Sequence, residues 1–158
     1  YVKVEEMSGA KFGEAFLERL EEGSTNYGSD VASLVFHALS INNPKSKAEL
    51  AKEIQQAIYV EGIDPMEVNS YVAVAAKYDV TPSELKRRVE SQDVQLKYES
   101  DLYTTQQFGV AGFPFAIVQL DGEYYQLARG FRSHEELEII LEKAIEYHTN
   151  REGRRIPG

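Results

Sequence analysis

The sequence predicts an α/β fold in which a small sheet is interrupted by an inserted all-helical sub-domain. Three observations carry that prediction. Val2 and Val4 alternate with Lys3 and Glu5, the period of a short strand. From Ser29 to Phe108 apolar residues recur at helical spacing, and the stretch is too long to be a loop. After Phe108 the period becomes that of strands, in runs from Phe115 to Leu120 and from Glu123 to Ala128, before a last helical pattern closes the chain.

Taken in order, Val2 to Glu6 is the expected first strand, ended by Ser8-Gly9. Lys11 to Glu22 reads as a helix with Phe12, Phe16, Leu17 and Leu20 on one face, although Gly13 works against it. Ser29 or Asp30 can cap the next helix by accepting a hydrogen bond from a free backbone N–H. Val31, Leu34, Val35, Ala38 and Leu39 form its apolar stripe, and Asn42-Asn43-Pro44 breaks it. Ser46 with Glu49 is a capping box for a helix to about Glu61, striped by Leu50, Ile54, Ala57 and Ile58. Gly62 then sits where a C-cap glycine belongs.

Asp64-Pro65 pairs a capping oxygen with proline at the first helical position and predicts a helix to about Tyr78, buried through Val68, Tyr71, Val72 and Ala75. Thr81-Pro82 repeats the signal, with Glu84 close by and Leu85 and Val89 facing inward. A further helix runs from about Asp93 to Phe108, with Leu96 and Leu102 apolar among charges. Asp121-Gly122 predicts a type I′ turn joining the two strands into a hairpin, and Gly130 closes the second. Ser133 with Glu136 caps an amphipathic helix carrying Leu137, Ile140, Leu141, Ala144 and Ile145. Arg151 to Gly158 reads as a polar, basic tail.

Composition narrows the function classes. The chain has 158 residues, enough for one domain with a substantial core. Its net charge of −9 repels phosphate backbones, so no nucleic-acid partner is expected. No apolar run approaches the length of a membrane span, and no basic-then-apolar signal peptide is present. Zero cysteines remove disulfides, thiolate nucleophiles and thiolate metal ligands. His37, His134 and His148 are too scattered to suggest a metal site by spacing, and no cofactor is expected. His37 reads as structural or superficial, and His134 as exposed. His148, near a helix C-terminus, suits the helix dipole when protonated. Glu5-Glu6, Glu21-Glu22 and Glu135-Glu136 read as solvated faces, and alternation puts one of Tyr124 and Tyr125 inward and the other outward. The chain opens on Tyr1-Val2-Lys3-Val4 without an initiator methionine, as a fragment of a longer protein would.

The candidate site is the stretch from Phe108 to Val118, with Gly109, Gly112 and Pro114 between a helix and a strand. Proline cannot donate to a sheet ladder, so it belongs at the strand's first residue or on an edge. The cis form costs an X–Pro bond only about 0.5–1 kcal/mol, so a tight turn can select it at Phe113-Pro114. Phe113 and Phe115 are apolar enough to serve as core plugs as well.

This Gly-Phe-Pro loop, with the order strand, helical block, hairpin and closing helix, resembles the DsbA-like branch of the thioredoxin superfamily. That branch includes disulfide oxidoreductases, FrnE-type proteins, 2-hydroxychromene-2-carboxylate isomerases and kappa-class glutathione transferases. Tyr59-Val60-Glu61-Gly62 followed by Asp64 is similar to the insertion of the FrnE-type members. The resemblance implies a thioredoxin-like sheet with an inserted helical sub-domain: a core from residues 1–28 and 109–150, a helical insertion and re-entry helix at 29–108, and a tail at 151–158.

The same resemblance implies a bacterial-type thiol–disulfide oxidoreductase or disulfide isomerase that binds its substrate along Gly112, Phe113 and Pro114. In the family the residue before the cis-proline offers backbone hydrogen bonds to an extended polypeptide or to glutathione, the logic of β-augmentation. The chain departs from the family in having no Cys-x-x-Cys, so no catalytic residue carries over. Exchange needs a thiolate and a second, resolving thiol. Two further readings remain: a glutathione-dependent isomerase or transferase of the same superfamily, and a redox-inactive protein-binding module. FrnE-like relatives imply the cytoplasm.

Overall fold

The computed structural model describes residues 2–23, 25–41 and 47–152, with the backbone alone at Glu152. Asn42-Asn43-Pro44, Ser46 and residues 153–158 lie outside the described residues, and with them the expected helix break, the first capping box and most of the tail. The chain forms two compact units, residues 1–104 and 105–158.

The first unit is helical: α1 (Val2–Ser8), α2 (Glu14–Glu22), α3 (Asp30–Ser40), α4 (Lys47–Tyr59), a 3₁₀ turn (Val68–Tyr71) leading into α5 (Val72–Ala76), α6 (Pro82–Val89) and α7 (Gln92–Gln107), which runs across the division. Its core follows the apolar stripes. Val35, Ala38 and Leu39 of α3 meet Leu50, Ile54, Ala57 and Ile58 of α4 in a cluster that also takes in Tyr71, Val74, Leu85 and Val89. Tyr71 is fully buried, yet its hydroxyl donates to the Pro65 carbonyl at 2.9 Å, which answers its polar demand. Arg88 bonds Glu84 on its own helix and donates to the Ala38 carbonyl at 3.3 Å, satisfying one of the free carbonyls at the end of α3.

Gly62 has φ +68°, and a Cβ there would lie 2.6 Å from the Ala15 carbonyl carbon. Only glycine supplies both the left-handed turn after α4 and the close approach of α2. Arg19 then donates to the Gly62 carbonyl at 2.9 Å. Phe12, Phe16, Tyr27 and Tyr59 make edge and stacked ring contacts around this junction.

Three expectations are corrected here. Val2 to Glu6 is helical, not a strand. A strand needs a neighbour to take up its backbone groups. The described sheet has two strands, and residues 2–6 belong to neither. The segment closes its bonds locally: the Gly9 amide donates to the Glu5 carbonyl at 2.9 Å and Ser8 Oγ to the Val4 carbonyl at 2.7 Å. The helix expected from Asp64 to Tyr78 is broken into a turn, the 3₁₀ segment and α5. Asp64 accepts from the Met66 amide at 2.9 Å, two residues on, which closes an Asx turn instead of an N-cap. Ser29 precedes α3 in an αR conformation and makes no side-chain cap bond, while Asp30 accepts from the Tyr98 hydroxyl.

The local signals after residue 80 form as expected. Thr81 Oγ1 accepts from the Glu84 amide at 3.3 Å at the start of α6. Thr81 is extended and Pro82 opens the helix.

The second unit is an antiparallel hairpin, β1 (Phe115–Leu120) and β2 (Glu123–Arg129), against α8 (His134–Glu152). Asp121 and Gly122 take φ +45° and +86°, both positive as a type I′ turn requires. Pairing runs Leu120↔Glu123 back to Phe115↔Arg129, with a bulge at Leu127, which has no partner between Ala116↔Ala128 and Ile117↔Gln126. Ser133 and Glu136 close a reciprocal capping box: Ser133 N–H donates to Glu136 Oε2 at 2.9 Å and Glu136 N–H to Ser133 Oγ at 3.2 Å. Arg151, read from the sequence as the start of a tail, lies within α8 and pairs with Glu123 at 3.0 Å.

Candidate functional site at the Phe113-Pro114 loop

The loop hangs between two fixed points. On one side the end of α7 turns back, with the Gly109 amide donating to the Gln106 carbonyl at 2.9 Å and the Val110 amide to the Thr105 carbonyl at 3.2 Å. On the other, the Gly130 amide donates to the Pro114 carbonyl at 2.8 Å, so the chain leaving β2 pins the residue that enters β1. The Phe113-Pro114 peptide bond is cis.

Between these anchors, Ala111, Gly112, Phe113 and Pro114 are all exposed. Phe113 is 80% exposed, which removes it as a core plug, whereas Phe115 is half-buried. Among the described residues no hydrogen bond reaches the backbone of Ala111, Gly112 or Phe113. The loop therefore presents an aromatic face together with free amide and carbonyl groups, the chemistry that an extended chain can pair with.

The same end of the hairpin carries positive charge. Arg129 is exposed and stands opposite Phe115 in the register. Phe131, 44% exposed, and Arg132 follow it, with Arg132 3.4 Å from Glu136. Sequence reasoning did not single out Arg129, because its position beside the loop comes from strand register and no local motif marks it.

The histidines serve elsewhere. His37 Nε2 lies 3.0 Å from Asp101, and His134 is exposed beside Glu138. His148 is buried, with Nδ1 3.0 Å from the Tyr125 hydroxyl and Nε2 3.1 Å from Asp121. Tyr125 is half-buried and faces α8, while Tyr124 is outward, as alternation predicts. Burial, then the bond to Glu123, pushes the Tyr125 hydroxyl up from the usual tyrosine range. No group of metal-binding side chains assembles among the described residues. No described helix is long and apolar enough to cross a membrane.

A separate cleft of about 240 Å³ lies within the helical unit, between Ala32 and Phe36 of α3 and Ala51 and Ile58 of α4. It carries no charged side chain, and its polar lining is the hydroxyls of Tyr27, Ser29, Ser33 and Tyr59 with the Gln55 amide.

Comparison with known proteins supplies the context. A model of the DSBA-like thioredoxin domain matches residues 15–142. No curated protein matches the chain in sequence. Among solved structures, a candidate protein disulfide isomerase from Nitrosomonas europaea superposes with a TM-score of 0.79 at 20% identity, covering 93% of this chain and 71% of that one. The cytosolic disulfide reductase DsbM from Pseudomonas aeruginosa superposes with a TM-score of 0.73 at 19% identity, covering 92% of this chain and 73% of that one. The same protein solved with GSH gives 0.70 at 19% identity, with the same coverage.

Proposed function

The chain belongs to the DSBA-like thioredoxin domain family, a thiol–disulfide oxidoreductase-like family, and on that premise we propose that it is the substrate-holding part of a disulfide oxidoreductase or isomerase. The substrate polypeptide lies along Gly112, Phe113 and Pro114. The observation that carries this reading is the exposed, unpaired backbone of the loop between two hydrogen-bonded anchors. Anchoring matters because a loop already held in its bound shape loses less entropy on association.

These 158 residues hold no cysteine, so they supply no thiolate and the loop's contribution is binding. An extended peptide would donate to and accept from the Gly112 and Phe113 backbone, with an apolar side chain against the Phe113 ring. A test is to follow the amide resonances of Gly112 and Phe113 while a short unstructured peptide is titrated into the intact chain. Both should move in a saturable manner. Shifts elsewhere with these amides still would rule the loop out.

A second reading is glutathione at the same loop, favoured by the GSH-containing structure of the DsbM neighbour. It is a tripeptide and can use the same backbone groups. Calorimetric titration with glutathione separates the two, since this reading requires saturable binding of the tripeptide by itself. A cytoplasmic setting accords with the neighbour's description as cytosolic.

A further inference from the structure

Arg129 differs from the other arginines among the described residues. Arg19, Arg87, Arg88, Arg132 and Arg151 each have a carboxylate oxygen within 3.9 Å. Arg129 pairs with no carboxylate among the described residues, although Asp and Glu number 26 against 17 Lys and Arg in the chain. It sits at the last residue of β2, directly across from Phe115, and the next residue, Gly130, donates the bond that fixes Pro114.

Directly paired residues of neighbouring strands are about 4.5–5.5 Å apart, a gap that an arginine side chain spans easily. An extended chain held by the Phe113 backbone therefore runs within reach of this guanidinium. Phe113 and Phe131, both exposed, stand two residues before Phe115 and two after Arg129, in the two segments that the Gly130–Pro114 bond joins.

We propose that Arg129 makes this loop selective for extended polypeptide segments in which an acidic side chain neighbours an apolar one. The selectivity rests on the loop-binding reading given above and adds to it the class of substrate. Guanidinium matches a carboxylate bidentately, in a geometry that lysine cannot supply. The chain as a whole opposes an acidic ligand, with a net charge of −9. Screening confines charge effects to about 8–10 Å at ordinary salt, so the attraction acts at contact and the repulsion is largely damped.

The experiment compares two labelled peptides, identical except for Glu or Gln beside a central Leu, by fluorescence anisotropy with the intact chain. The Glu peptide should bind about fivefold more tightly, the upper range for an exposed ion pair. In R129Q the two peptides should bind alike, at the level of the Gln peptide with the unaltered chain. R132Q should keep the difference, because Arg132 is already committed to Glu136. Raising the salt should shrink the difference without abolishing Gln-peptide binding. If both peptides bind the unaltered chain equally, or if R132Q rather than R129Q removes the difference, the assignment to Arg129 is overturned while loop binding stands. If neither peptide binds, the loop reading itself fails, and this inference with it.

Discussion

The Tyr125 hydroxyl lies 3.0 Å from His148 Nδ1 and donates to Glu123 Oε2 at 2.7 Å, tying the middle of β2 to the last turns of α8. Arg151 reaches the same Glu123 oxygen at 3.0 Å, and His148 Nε2 meets Asp121 in the hairpin turn. One buried imidazole thus joins the turn, the strand and the helix. Substituting His148→Ala should destabilise the second unit by about 0.5–1.5 kcal/mol, the net worth of the hydrogen bond lost at half-buried Tyr125, because Asp121 is exposed and turns to water. His148→Gln, which retains donors and an acceptor, should recover part of it. Urea denaturation followed by the near-ultraviolet signal of Tyr125 and Tyr147 measures both, and an unchanged midpoint for His148→Ala would mean that the cluster is incidental.

Tyr71 predicts the response to alkali. Burial first, then the charges of Asp64 and Tyr59, push its hydroxyl above the ordinary value of 10.0. A tyrosine with a raised folded pKa contributes stability that is fully present below pH 10.0 and is lost as the pH climbs toward its folded value. Stability should therefore fall with increasing pH above that point. Tyr71→Phe should flatten the fall by up to one proton's worth of slope. At neutral pH it should cost roughly 0.5–1.5 kcal/mol for the lost bond to the Pro65 carbonyl. A pH series of thermal midpoints for both proteins checks the slope.

The capping box predicts the response to acid. The Ser133 amide holds the Glu136 carboxyl below the ordinary 4.5; burial opposes it, and the Arg132 charge adds a lesser lowering effect. Its contribution is present above that value and lost as the pH falls through the folded one. Ser133→Ala should cost about 1 kcal/mol at neutral pH by removing the cap acceptor. Glu136→Gln should weaken the acid dependence while retaining a reciprocal contact. Equal acid dependence in Glu136→Gln and the unaltered chain would count against the box.

Phe113→Ala separates a site from a core residue. At 80% exposure, its truncation should change stability by less than about 0.5 kcal/mol. Peptide affinity should fall with the lost apolar contact. Leu85→Ala, at a fully buried position in α6, should by contrast cost about 2–5 kcal/mol. Denaturation midpoints for the pair, with peptide binding for the first, test whether exposure marks the loop for recognition.

What the sequence determined by itself is local. Thr81-Pro82, Asp121-Gly122 and the Ser133–Glu136 pair encode bonds between residues at most three apart, and each forms as its side chains dictate. The change from helical to strand period likewise located the hairpin and the loop before it. Tertiary structure decided the rest. Val2 to Glu6 has the residues of a strand, but a strand exists only with a neighbour, and the segment satisfied its backbone as a helix. Asp64 could cap a helix or close a turn with equal chemistry, and packing of Tyr71 against Pro65 accompanied the turn. His148 is buried through a partner 27 residues away, and Arg129 stands beside the loop only through strand register. Bonds within a turn of chain are written in adjacent side chains, whereas burial, register and the pairing of charges depend on residues that meet only once the chain has folded.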